Sequence, residues 1–394
     1  MIRLLTALLR LPPCEQEHQH EHDTVMNADV IIVGAGIIGC ALAEQLAGQG
    51  MKVCVLDRAG IGQQTSASGM GHLVALGDHP AVLALALRSL KLWRERQCKL
   101  PDNVEYVSCG TLWLASNATD VLQAQENAEL FTAAGVRNEW LDAAALRRTE
   151  ATLVTDLSGG LRVPDDAVIY PPNAVLHFAE NAMACGARFE IGVEAVSVAG
   201  GEVRLADGGR RRAPYIVVAA GCATSRLLPE LKLLPRKGHL LITTAQVPRI
   251  HHQLIELGYH QSAQGQDPVS VAFNVQPRRT GQLLIGSSRQ FDDESADLVP
   301  AVLSRMLQRG QRFLPELPRW PALRAWTGLR PCTPDNTPYI GNLARDRSLW
   351  VAAGHEGLGI TTATGTAELL AQQICGNTPL LDGAAMSPNR SLAA

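Results

Sequence analysis

The sequence predicts an α/β fold, with a parallel sheet flanked by helices and joined to a strand-rich antiparallel section, on three observations. An apolar run at residues 29–33 enters a glycine turn and a small-residue helix. A second run, 349–353, enters another glycine turn near the end of the chain. Between them, residues 234–289 alternate in the style of antiparallel strands.

Neither face of 29–33 alternates with polar residues, the mark of a buried parallel strand. Gly34, Ala35, Gly36 and Gly39 follow in GxGxxG spacing. The first glycine permits the turn, the second lets backbone approach a pyrophosphate, and the third lets the helix lie close to the strand. The helix, 37–47, offers unpaired N–H groups and partial positive charge to phosphates. A strand at 52–56 delivers Asp57, an acceptor for a ribose diol. Strand, turn, helix and distal acid together predict dinucleotide binding, though they do not separate FAD from NAD.

The next segment, RAGIGQQTSASGMGHLVALGD, suits backbone passing close to a planar ligand, and equally a surface loop. Residues 80–97 have helical spacing; 106–115 read as a strand pair turning at Cys109 and Gly110. Helices are expected at 118–134, at 143–149 with Asp142 as its cap, and at 173–185 before Gly186. Strands follow at 188–191, 193–198 and 202–206, then a second buried strand at 215–221. GHLLITT, VSVAFNV and QLLIGSS make the antiparallel section, with a turn at RRTGQ and an amphipathic helix at 300–312 beyond it. After 349–353 come Gly354, Gly357 and Gly359, and a helix to residue 374 whose N-terminus can stabilise negative charge.

Hydrophobic content of 46% and charged content of 19% suit a globular protein, and a net charge of −3 gives no electrostatic case for nucleic acid. The nine cysteines are odd in number, scattered and without a CxxC pair. That pattern fits a reducing, cytoplasmic setting and argues against disulfides, a metal site or an iron–sulfur cluster on this chain. Residues 1–27 read as a disordered tail: MIRLLTALLRL is a poor signal peptide, His18, His20 and His22 lie in a polar tract, and Met26 sits just before the first strand. No later run suits an integral membrane segment.

GAGIIG with Asp57, TSASG, VVAAG, GLRPCTPDNTPYIG and AAGHEGLGI together resemble the D-amino acid oxidase superfamily of FAD-dependent amine and imino-acid oxidoreductases, over residues 29–376. Within it the chain resembles the glycine oxidase and sarcosine oxidase branch, and most nearly the D-hydroxyproline dehydrogenase beta subunit and opine oxidase catalytic subunits. The resemblance implies a Rossmann-like FAD-binding domain assembled from separated segments (28–80, 150–230 and 326–380). It also implies an α+β substrate domain on a large antiparallel sheet (81–149 and 231–325), with 381–394 as a C-terminal tail.

By that resemblance Gly34, Gly36 and Gly39 face the pyrophosphate and Asp57 the adenosine ribose, where most relatives carry Glu. Thr65, Ser66, Ser68 and Gly69 pass the pyrophosphate and flavin, and Gly354, Gly357, Leu358, Gly359 and Ile360 lie at the pyrimidine edge. Arg330 matches the arginine that pairs with the substrate carboxylate. Asn274 and Arg289 stand where glycine oxidases have tyrosine and methionine, and Gly357 where they have a second arginine. These departures argue against glycine itself as substrate and make Arg289 a candidate second anion contact, or else a solvated edge arginine. His72, and more weakly Glu356, are candidates to face the flavin or the amine; a structural role is the alternative for each. Sarcosine oxidases tether flavin through a cysteine at the position of Gly328. Cys332 is four residues away, so FAD is expected to be non-covalent.

The implied reaction is hydride transfer from the carbon beside a neutral amine to flavin N5, converting a secondary or cyclic amino acid, plausibly D-hydroxyproline, to its imine. The implied partners are an amino- or imino-acid substrate and other redox subunits carrying further flavin or iron–sulfur centres. The alternatives are a stand-alone oxygen-using oxidase and a flavin-binding structural or electron-relay subunit.

Overall fold

The structure, a computed structural model, describes residues 28–77, 79–245, 249–257 and 269–390. The expected N-terminal tail, with His18, His20, His22 and Met26, lies outside the described residues, as do 391–394.

The first strand, β1 (Val30–Val33), passes through the glycine turn into α1 (Ile37–Gly48) and β2 (Val53–Asp57). Then come β3 (His72–Leu73), α2 (Pro80–Arg96), β4 (Thr111–Ala115), α3 (Ala118–Ala133) and β5 (Glu139–Asp142). The chain continues through α4 (Ala143–Thr149), β6 (Gly159–Val163), β7 (Ala167–Val168), α5 (Pro171–Ala184) and β8 (Arg188–Ile191). A meander, β9 (Ala195–Ala199), β10 (Glu202–Leu205) and β11 (Arg210–Arg212), leads into β12 (Tyr215–Val218) and the single turn α6 (Thr224–Leu227). The antiparallel section holds β13 (Leu234–Thr243), β14 (Gln253–Glu256), β15 (Val269–Pro277) and β16 (Leu283–Gln290). It is followed by α7 (Pro300–Gln311), β17 (Ala322–Cys332), β18 (Tyr339–Leu343), β19 (Asp346–Ala353) and α8 (Gly359–Ile374).

Two sheets carry the architecture. In the six-stranded sheet, ordered β18-β19-β12-β1-β2-β8, β1 lies between β12 and β2 and all pairs but β18–β19 are parallel. Its strands are apolar on both faces because helices cover one side and a second apolar cluster the other. Close packing there follows from small residues: a Cβ on Gly365 of α8 would stand 2.4 Å from Ser89 Oγ of α2. The eight-stranded sheet is ordered β17-β13-β16-β15-β14-β4-β6-β5, antiparallel except at β14–β4.

Two local expectations are corrected, at 106–115 and at the C-terminal tail, and two strands, β14 and β17, have no counterpart among the expectations. Residues 106–115 form one strand, not a pair: Val107 makes a lone bridge to Val168, and Gly110, at φ +69, turns the chain into β4. The strand β14, parallel to β4 and antiparallel to β15, has too little local patterning to announce itself. β17 runs through Pro331, which is tolerated because β17 is an edge strand. Residues 381–390 pack back on the core: Met386 is buried, and Arg390 pairs with Asp335 at 2.8 Å over the Tyr339 ring.

Candidate functional site

β1, β2 and β12 end together, and a cavity of about 780 Å³ opens over their C-terminal ends, the place where open parallel sheets receive ligands. Its floor is backbone. A Cβ on Gly34 (φ +117) would stand 2.3 Å from the Ala219 carbonyl oxygen, and one on Gly39 only 1.9 Å from that of Gly34. Gly36 has more room, its Cβ position being 3.3 Å from Ser66 Oγ. Asp57 also lines the cavity, but its carboxylate is already occupied by backbone: Ala35 N–H donates to Oδ2 at 2.8 Å, and Ala59 and Gly60 N–H to Oδ1 at 2.8 and 3.0 Å. About one of its roughly four lone-pair sites is left for a ribose hydroxyl.

The loop over this cavity is held by its hydroxyls. Ser66 Oγ accepts from Ile37 N–H at 3.0 Å, so its own proton is free to point at a phosphate. Thr65 donates to the Leu329 carbonyl at 2.7 Å and Ser68 to that of Gln64 at 3.3 Å. At Gly69 a Cβ would meet nothing nearer than Ser66 O at 3.5 Å. A side chain at Gly328 would put its Cβ 2.4 Å from Ser68 Cβ. Cys332 is fully buried and lines neither this cavity nor the next.

The second glycine turn forms the wall between two cavities. Gly354 (φ +84) has no space for a Cβ, which would fall 2.4 Å from Thr333 Cγ2. His355 and Glu356 line both cavities, Gly359 the larger, and Gly357 and Leu358 the smaller, of about 100 Å³. Ile360 is buried behind them; its carbonyl and that of Thr361 accept Trp93 Nε1–H at 3.3 and 3.2 Å. Thr361 Oγ1 donates to the His72 carbonyl at 2.8 Å, tying the start of α8 to β3.

His72 and Asn274 face each other in the small cavity, and their polarity is determined by a chain of bonds. Gln253 Nε2 donates to the Ala167 carbonyl at 3.0 Å and to Thr111 Oγ1 at 3.3 Å, so its Oε1 accepts the Nδ1–H of His72. Neutral His72 then accepts at Nε2 from Asn274 Nδ2 at 3.1 Å. Asn274 Oδ1 is left buried with no hydrogen-bond partner. Burial holds the His72 ring at a pKa of about 4, outweighing the Gln253 bond that raises it, with the Arg330 charge lowering it further.

Arg289 Nε lies 3.6 Å from Glu356 Oε1, and Glu356 Oε2 accepts the Gly357 N–H. Glu356 holds a left-handed φ of +48. Burial opposes its charge, yet Arg289, Arg330 and Arg236 together keep its carboxyl below the usual range. Arg330 does not form part of either cavity lining; Nη1 donates to the Ser288 carbonyl at 3.1 Å, which uses one of its five N–H donors. The sequence reading missed Arg236, Gln253 and His355. Arg236 is directly across from Arg330 in the β13–β17 register, and Gln253 comes from the unrecognised β14. The only signal for His355 was its place inside AAGHEGLGI; burial holds it neutral, with a pKa of about 4.

Residues 29–373 match the family model described as "DAO: FAD dependent oxidoreductase". The chain belongs to that family. FAD is therefore the cofactor of the matched region, which is an FAD-dependent oxidoreductase. Glycine oxidase of Geobacillus kaustophilus is 26% identical over 361 residues, covering 88% of this chain and 92% of the relative. The bifunctional protein ThiO/ThiG of Nostoc sp. is 29% identical over 364 residues, 89% of this chain, which spans only 53% of that protein's length. Among solved structures, G. kaustophilus glycine oxidase superposes with TM-score 0.84 at 24% identity, covering 93% and 99% of the two chains. L-proline dehydrogenase of P. horikoshii gives 0.84 at 20%, covering 93% and 98%. At these identities the superpositions bear on the fold alone. The glycine floor, the Ser66 hydroxyl and the 780 Å³ cleft fit a flavin dinucleotide. No helix among the described residues is long and apolar enough to cross a membrane, and no described group of three His, Cys, Asp or Glu could hold a metal ion.

Proposed function

We propose that the protein oxidises the C–N bond of a secondary or cyclic amino acid to the imine, with D-hydroxyproline the first substrate to test. The observation that carries this reading is the convergence, at a small cavity sharing the His355–Glu356 wall with the cofactor cleft, of an unpartnered carbonyl oxygen, of Arg236 and Arg289 in the lining, and of Arg330 just behind it, its Cδ 4.0 Å from the Cβ position of Gly357. FAD, when bound, supplies the hydride acceptor. Arg330, with Arg289 beside it, holds the substrate carboxylate, and Asn274 Oδ1 accepts the N–H of the amine. Together these contacts fix the orientation of the C–H bond.

The surrounding positive charge disfavours an ammonium, so the amine reacts unprotonated. His72 does not take that proton at Nε2, which is occupied by Asn274; it is a positioning residue. The positive end of α8 supports negative charge developing beside the wall. The segments 28–80, 150–230 and 326–380 serve the cofactor, and 81–149 with 231–325 the substrate. FAD is held without a covalent bond, since Gly328 has no room for a side chain and Cys332 does not reach the cleft.

Electrons leave to partner redox subunits in this reading. A second reading, direct transfer to oxygen, is favoured by the glycine oxidase names of the relatives. Anaerobic titration with cis-4-hydroxy-D-proline, followed by air, tests both. Bleaching of the flavin band with slow recovery in air supports a partner-dependent dehydrogenase, and fast recovery an oxidase. An unchanged band removes D-hydroxyproline as substrate.

A further inference from the structure

Alternation along the large sheet gathers more positive charge at the small cavity than one carboxylate needs. Arg236 and Arg330 are Cα partners across β13 and β17, so both side chains emerge on one face, and like charges directly opposite each other destabilise a sheet. Arg289, on β16 at the other side of β13, joins them at Glu356, on which all three guanidiniums act. Among the described residues the only acid in this group is Glu356, which pairs with Arg289 at 3.6 Å. Among the described residues, three guanidiniums and one carboxylate leave two positive charges. His72 and His355, the other titratable groups of the cavity, are neutral at pH 7.

Arg236 lines the cavity with its Nε buried and lacking any hydrogen-bond partner, its guanidinium lying 5.2 Å from the centre of the Phe291 ring. A buried donor with no acceptor is costly, and a charged one more so. Such a group persists where a ligand completes it.

Building on the amino-acid reading above, but not on D-hydroxyproline, which has one carboxylate, we infer that the substrate carries a second carboxylate, held by Arg236, in addition to the one held by Arg330. Two anionic groups on the substrate balance the two excess charges, and the planar guanidinium fork suits a carboxylate at each end. The second group also supplies specificity, because an amino acid with one carboxylate leaves the buried Arg236 Nε without an acceptor. The small cavity sets the scale: the two carboxylates are separated by a short chain.

The test is ligand binding to the FAD-loaded protein, followed by perturbation of the flavin absorption spectrum, with matched pairs: succinate against butyrate and malonate against propionate. The second charged contact is expected to make at least one dicarboxylate bind about tenfold or more tighter than its monocarboxylate partner. In Arg236→Gln, and in Arg236→Met should the first variant fail to fold, that preference is expected to shrink toward unity. Equal affinities within both pairs in the unmodified protein overturn the inference while leaving the amino-acid reading intact. A preference that survives loss of Arg236 overturns the assignment to that residue. If no carboxylate of either kind perturbs the flavin, the amino-acid reading fails, and this inference with it.

Discussion

The cofactor cleft and the small cavity share a wall but are built from different materials. The cleft is shaped by missing side chains: Gly34, Gly39 and Gly354 each occupy a position where a Cβ would strike a neighbour within 2.4 Å. The small cavity is shaped by side chains from β3, β13, β15 and β16 that meet across long sequence separations, as in the bond between His72 and Asn274. A cradle made of backbone has little tolerance for change and serves one ligand. A cavity made of side chains can be retuned one residue at a time, so the substrate can change while the cofactor cradle stays as it is.

The largest expected effect belongs to the backbone side. In Gly39→Val the new side chain must displace the turn, at a cost of about 1–3 kcal/mol or more, and FAD is lost with the turn's geometry. The purified variant should be colourless and melt earlier; a fully yellow protein of normal stability would break the contrast. On the side-chain side, Asn274→Leu should keep its flavin yet lose about ten- to a hundredfold in kcat/KM, the value of one buried hydrogen bond of about 1–3 kcal/mol. Loss of flavin instead would show that the two regions are not separable.

A smaller effect comes from Gln253→Glu. A carboxylate accepting from His72 Nδ1 favours the charged ring, so the acid limb of the pH–kcat/KM profile should move upward, with flavin content unchanged. An unmoved limb would remove His72 from any positioning role.

The smallest is a slope. Burial lowers the pKa values of His72 and His355 to about 4, so their contribution to stability is complete above the unfolded value of 6.5 and is lost as pH falls toward 4. Burial raises Asp166 to about 7 against hydrogen bonds from Thr111 and Ala75; its contribution is complete below 3.8 and is lost as pH rises toward 7. The two act oppositely between pH 4 and 6.5. Asp166→Asn should therefore steepen the rise of urea stability with pH in that window by about one proton's worth. A slope equal to that of the unmodified protein would contradict the burial argument.

The same division explains what the sequence revealed. The strand–turn–helix from Val30 to Gly48 was legible to within a residue or two, because every contact that requires its glycines lies nearby in the chain or in VVAAG. Arg289 and Asn274 were recognisable only by resemblance, as departures from a pattern. Arg236 was not legible at all: it matters because register sets it against Arg330, and register is a property of two strands some ninety residues apart. Gln253 was hidden for a related reason, since a four-residue strand offers too short a pattern to read.

The most direct measurement compares Arg330→Met with the unmodified protein in anaerobic single turnover, following flavin bleaching over a range of substrate concentrations. A carboxylate held by Arg330 requires that the variant retain its FAD while the substrate concentration for half-maximal bleaching rises about ten- to a hundredfold. Bleaching at the same concentration and rate in both proteins would contradict the placement of the substrate on the arginine face.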